Sequence, residues 1–217
     1  HVRTSHFFGE KYRSHRNCKF ENYIPTIKYL IKKGYNIVRI GTFDKKKENL
    51  EIPGYFQMEY ILKNFDKEIR ELIDIYLLSK CKFFIGAASG PSYIPCTFGI
   101  NSCLTNFFPA STALGYLKKD KSIFKKIRTF DGKFINKNKY FKEPYLYFLV
   151  EKDFSKRRLV LEDNSPEDIL NCCLNYMSDN VIIKETNEEY SKKNNIDKFC
   201  MSFKANGRFD SSFLKKL

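Results

Sequence analysis

The chain has 217 residues, of which 42% are hydrophobic and 29% charged, and its formal net charge is +14. That length suits one sizeable α/β domain, or one domain with a short tail, and the composition excludes a disordered polypeptide. No apolar run approaches the roughly 18 residues needed to span a bilayer as a helix. The cysteine usage fits a reducing cytoplasm, which is the expected placement. The first residue is His rather than Met, so the natural amino terminus, with any targeting signal, is expected upstream.

Taken in chain order, His1 to Ser5 reads as the end of a strand and Phe7 to Asn17 as a polar loop. Apolar residues at Ile24, Ile27, Leu30 and Ile31 recur at helical spacing, predicting a helix over Glu21 to Lys33 that Gly34 terminates. Asn36 to Gly41 is a β-branched run and predicts a strand. Asp66 to Lys80 predicts a strongly apolar helix capped by Asp66. Lys82 to Ala87 predicts a buried strand, Ala88 to Ser92 a turn of small residues, and Tyr93 to Phe98 a short helix closed by Gly99. Ser102 to Asn106 is a further strand. The segment from Thr112 to Tyr145 is Lys-rich and weakly periodic, with a helix expected near Ser122 to Arg128 and a turn at Gly132. Leu159 to Leu161 predicts a strand. Ser165, Pro166 and Asp168 supply a serine cap, a proline at the first helical position and a carboxylate two residues later, starting a helix that runs to about Met177. Glu188 to Lys192 is expected to begin a terminal helix. Strands alternating with helices predict a Rossmann-like parallel sheet with helices on both faces. The expected organisation is a domain over residues 1–180 and a tail over 181–217.

Several residues carry chemistry. Ligands of open α/β sheets sit beyond the carboxyl ends of the strands, which nominates His1 to Arg3, Arg39 to Gly41, and Gly86 to Ser92. The Gly-Ala-Ala-Ser-Gly-Pro turn reads either as a cradle for a phosphate at a helix start or as a tight βα turn with small residues for packing. It lacks the lysine and hydroxyl of a P-loop. Arg39 lies inside an apolar strand, where a charge needs a partner, so it meets either a ligand or a structural carboxylate. Asp74, within an apolar helix, reads as a surface or sheet-anchoring carboxylate. The seven cysteines form no Cys-x-x-Cys pair and read as buried free thiols; no metal site and no cofactor are expected. Lysine supplies 30 of the 39 basic residues, which reflects compositional bias more than a phosphate-binding surface, and no recognised nucleic-acid motif is present.

The opening His1-Val2-Arg3, the stretch Ser14 to Gly41 (SHRNCKFENYIPTIKYLIKKGYNIVRIG) and the stretch Asp74 to Ile100 (DIYLLSKCKFFIGAASGPSYIPCTFGI) together carry a family resemblance. The chain resembles bacterial glycosyltransferases of surface-polysaccharide gene clusters, and the tail segments Glu162 to Ile169 and Gly207 to Leu217 agree. More distantly it is similar to the fucosyltransferase superfamily that uses GDP-fucose. In that superfamily a His-x-Arg at a strand end opens the donor domain, and a later Asp, Ser, Gly, Ser-Gly pattern closes around the nucleotide. Here His1-Val2-Arg3 matches the first element, and Asp74, Ser79, Gly86, Ser89 and Gly90 match the second.

The resemblance implies the carboxy-terminal, donor-binding domain of a GT-B fold, entered in mid-domain. It implies a nucleoside-diphosphate sugar as donor, a glycan or lipid-linked acceptor, and no tightly bound metal. Arg3 is implied to grip the diphosphate, with Arg16, Asn17, Arg39, Gly41, Gly86, Ser89 and Gly90 as donor-binding residues. The general base is His1, His6 or a group of the amino-terminal domain that completes a GT-B cleft. The family pattern has serine or leucine where this chain has Pro91. The Lys-rich stretch from Lys118 to Lys139 reads either as a solvated face or as a peripheral contact with anionic lipid at the inner face of the membrane. Two other functions stay open: a non-catalytic nucleotide- or glycan-binding module, and a basic nucleic-acid-binding protein.

Overall fold

The computed structural model describes residues 1–4, 11–41, 50–109, 115–148, 151–178 and 208–216. The expected helix start at Glu188 to Lys192, and His6, lie outside them. The described residues form a mixed α/β fold with parallel strands. Its elements are α1 (Ile24–Lys32), β1 (Ile37–Arg39), β2 (Tyr55–Gln57), α2 (Met58–Ile61), α3 (Lys67–Lys80), β3 (Phe84–Gly86), α4 (Ile94–Thr97), β4 (Ser102–Phe107), β5 (Lys121–Phe124), β6 (Lys126–Thr129), α5 (Lys137–Tyr140), α6 (Glu151–Ser155), β7 (Leu159–Glu162), α7 (Pro166–Met177), β8 (Arg208–Phe209) and α8 (Ser211–Leu214). Short 3-10 turns add Lys11–Arg16, Phe20–Tyr23, Gly90–Tyr93 and Tyr145–Tyr147.

β1 and β2 form one parallel pair, and β3, β4, β5 and β8 form a second parallel section in that order. β6 and β7 form a separate antiparallel pair. His1 lies beside β3 in parallel geometry: its carbonyl accepts from the Ala87 N–H at 3.1 Å and its amino group donates to the Ile85 carbonyl at 2.8 Å. On its other flank, Gly41 just past β1 stands against the His1 imidazole.

The two sheet faces are covered by different helices. Val2, Tyr55, Ala87 and Ile27 of α1 share one cluster with Phe20, Tyr23 and Ile169 of α7. Leu78 of α3 packs instead with Ile40 and Phe84 in the larger cluster. That larger cluster is built on aromatic rings, with Phe124 5.6 Å from Phe141, Phe108 5.2 Å from Phe154 and Phe148 5.1 Å from Phe154 between centroids. Such tilted and edge-on pairs add about 0.5–1.5 kcal/mol each beyond area burial.

Three expectations need correction. The helix expected near Ser122 to Arg128 is two strands, β5 and β6, broken at Lys125. Ile123, Phe124 and Ile127 imitate helical spacing, but pairing of β5 to β4 and of β6 to β7 overrides it. Lys11–Arg16, expected as loop, is a 3-10 turn. α3 forms where expected, yet among its residues only Leu78 is buried.

Candidate functional site at the carboxyl edge of the sheet

The chain leaves His1–Arg3 and returns through α1 to β1 on one side, whereas β3 lies on the other side. Connections that depart in opposite directions open a crevice at the strand ends. Arg3 stands at this edge. Its carbonyl accepts from the Cys18 N–H at 2.8 Å, and its Nε donates to Asn17 Oδ1 at 3.1 Å. Arg16 reaches across the crevice, its Nε donating to the Ala88 carbonyl at 3.0 Å. The 3-10 turn Lys11–Arg16 thus ties the segment after Arg3 to the loop after β3.

That loop is held by local hydrogen bonds. The Ser89 N–H donates to Ser92 Oγ at 3.0 Å, and the Ser92 hydroxyl donates to the Ala87 carbonyl at 3.0 Å. Ser89 Oγ lies 3.1 Å from the same carbonyl and shares a hydrogen bond of 3.0 Å with His1 Nδ1. Both serines are buried. Gly90 faces open space, with no atom within 4 Å of a Cβ placed there. At Gly86 such a Cβ would stand 2.5 Å from the Phe84 ring and 3.0 Å from the His1 carbonyl, so glycine is what lets residue 1 approach. The helix expected to offer a phosphate its positive end is only the 3-10 turn Gly90–Tyr93 followed by the one-turn α4. So short a dipole is weak.

Of the remaining expected residues, Arg39 is buried in β1 with its guanidinium 4.1 Å from the Phe20 ring centroid. Gly41 has φ +81° and a Cβ there would stand 3.0 Å from the His1 imidazole, so this position needs glycine twice over. Burial pushes the Asp74 carboxyl up, and the Gly41 N–H hydrogen-bonds to it. Asp74 is a sheet-anchoring group. Ser79 bonds within its own helix, its Oγ donating to the Tyr76 carbonyl at 2.7 Å.

Two residues escaped the sequence reading. Lys125 is buried and its Nζ donates to the Asn17 carbonyl and, at 2.6 Å, to Asp163 Oδ1. Asp163 Oδ2 also accepts from the Lys19 N–H at 2.9 Å. The only local trace is the pair Lys125-Lys126 interrupting the apolar residues Ile123, Phe124 and Ile127, a spacing that also fits a helix face. Arg3, Asn17, Lys125 and Asp163 therefore form one chain of charge-assisted contacts below the crevice. Cys18, the nearest thiol, has its pKa pushed up by burial to about 11 and is no nucleophile. All six cysteines among the described residues are free, and those residues hold no group of three or more His, Cys, Asp or Glu placed to bind a metal ion. No described helix is long and apolar enough to cross a membrane.

Comparison with known proteins adds no identity: no family model matches the sequence, and neither a curated protein nor a solved structure matches it significantly.

Proposed function

We propose that this chain is the donor-binding, Rossmann-like domain of a metal-independent GT-B-type glycosyltransferase. It would transfer a sugar from a nucleoside diphosphate to a surface glycan or its lipid-linked precursor. The observation that carries this reading is the carboxyl edge of the sheet where His1–Arg3 adjoins β3, at which Arg3, Arg16 and the Ser89 turn converge. In open parallel sheets that is where nucleotides bind. The family resemblance of the same residues points the same way. In the proposed reaction an acceptor hydroxyl attacks the anomeric carbon and the sugar–phosphate bond breaks. The diphosphate leaves with the electron pair. A planar, permanently charged guanidinium suits the two developing phosphate charges, and this is the role of Arg3. The proton goes to His1 or to a base of an acceptor-binding domain.

The experiment is a thermal-shift series with GDP, UDP, CDP and ADP. Binding at a hundredfold over Kd stabilises by about 2.7 kcal/mol. One base is expected to raise the melting temperature, and Arg3→Ala is expected to lose that rise. A rise that survives Arg3→Ala removes Arg3 from the site, and no rise in a polypeptide carrying both domains removes the reading.

A second reading, a nucleotide- or glycan-binding module without catalysis, is favoured by one observation. Ser89 and Arg3 are only 3% and 8% exposed and both have internal partners. Sugar transfer or donor hydrolysis by a two-domain polypeptide separates the readings.

A further inference from the structure

The parallel sections β1–β2 and β3–β4–β5–β8 are not hydrogen-bonded to each other. Between their facing edges lies a cavity of about 320 Å³. Asn36 to Val38 form one wall and Phe83 to Ile85 the other. Leu30 of α1 covers it on one face of the sheet and Leu78 of α3 on the other, and His1 closes its carboxyl end. Strands inside a parallel sheet are normally buried on both faces. Here Ile37, Phe83 and Ile85 are half-buried, and Val38 is 38% exposed.

The backbone directions fix what fits. The Ala87 N–H and the Ile85 carbonyl both bond His1, so His1 sits opposite Gly86 in a parallel register. One step back along that ladder, the Ile85 N–H and the Phe83 carbonyl point at the cavity. On the other wall, the Ile37 N–H donates to the Gly54 carbonyl at 2.8 Å, on the β2 side. Alternation therefore turns the Val38 N–H and carbonyl toward the cavity. Two sheet edges with correctly phased donors and acceptors face each other one strand apart.

We propose that this cavity is the seat of one further β-strand, parallel to β1 and β3 and leading directly into His1. Its occupant is a short, uncharged, β-branched segment of polypeptide joined to the amino side of His1. Only a segment in line with His1 continues the ladder that His1 has begun; a separate peptide meets the His1 nitrogen at its end. The strand joins the two sections into one sheet in the order β2, β1, new strand with His1–Arg3, β3, β4, β5, β8. This inference is independent of the glycosyltransferase reading, since its test involves no nucleotide.

The test compares this chain carrying Val-Ile-Val-Ile before His1 with the same chain carrying Gly-Ser-Gly-Ser. The apolar extension is expected to raise the melting temperature by about 5 °C over the Gly-Ser control, a shift of the size a few ladder bonds and buried side chains give. Hydrogen exchange at the Val38 and Ile85 amides is expected to slow at least tenfold. Equal melting temperatures with unchanged exchange at both amides overturn the proposal. Anilinonaphthalene sulfonate is a second probe that does not depend on a melt. It is expected to bind the unextended chain and to be excluded by the apolar extension; equal binding to both identifies a cavity for small apolar ligands and overturns the strand.

Discussion

Asn106 is fully buried at the end of β4 and has φ +52°, a conformation few side chains accept. Its side chain explains its presence. The Asn106 N–H donates to Asn164 Oδ1 at 2.5 Å and the Asn164 N–H returns the bond to Asn106 Oδ1 at 2.7 Å. Asn106 Nδ2 donates to the Tyr23 hydroxyl at 2.9 Å, and Asn164 Nδ2 to the Phe124 carbonyl at 2.6 Å. Four segments distant in sequence thus meet through two amides. Asn164→Ala strands a buried N–H and a buried carbonyl, at about 1–3 kcal/mol each. A fall of roughly 10 °C in melting temperature is expected, and a fall under 2 °C would show that the pair does not hold these segments together. Gly86→Ala acts through shape instead. The new methyl group meets the Phe84 ring and the His1 carbonyl, and overpacking of this kind costs about 1–3 kcal/mol. Denaturant unfolding should show the loss.

At the scale of elements, α7 was readable in the sequence and β5 and β6 were not. The start of α7 is a local event: Ser165 Oγ accepts from the Asp168 N–H at 3.1 Å, and Pro166 occupies the first turn. Ser165→Ala should cost about 1 kcal/mol by the same melt. β5 has no such signal of its own, since it forms against β4 and β8, and Lys125 stayed hidden with it. β2 is three residues long, Tyr55–Gln57, too short for alternation to announce it. The same reasoning divides the candidate site. His1, Arg3 and Ser89 are nominated by their place at strand ends and Arg16 and Asn17 only by the family resemblance, whereas Lys125 and Asp163 are placed by pairings that no local spacing encodes. Asp168 also gives α7 a pH dependence. Burial pushes its carboxyl up, but hydrogen bonds from Lys216 and Lys126 outweigh burial and hold it below its ordinary value. A depressed carboxylate stabilises the fold above about pH 4, and that stability is lost as pH falls through the folded value. Asp168→Asn should therefore flatten the fall of melting temperature between about pH 5 and pH 3. An unchanged slope would assign the acid sensitivity elsewhere.

For the molecule as a whole, apolar surface is unevenly spent. Phe65, Ile69, Leu72 and Tyr76 follow helical spacing along and just ahead of α3, yet they are 49%, 42%, 66% and 60% exposed. Leu72→Gln with Tyr76→Gln should leave stability within about 0.5 kcal/mol of the parent, measured by chemical denaturation; a loss above 2 kcal/mol would mean this face is packed in solution. The stability lies elsewhere, in the aromatic cluster and the asparagine pair. One pairing sets a clock on synthesis. β5 meets β8 through Lys121 and Arg208, residues far apart in the chain. Ribosomes add about 5–20 residues per second. The open edge of β5 therefore waits on the order of ten seconds during synthesis before its neighbour emerges, with its outward backbone groups unpaired by β8 for that interval.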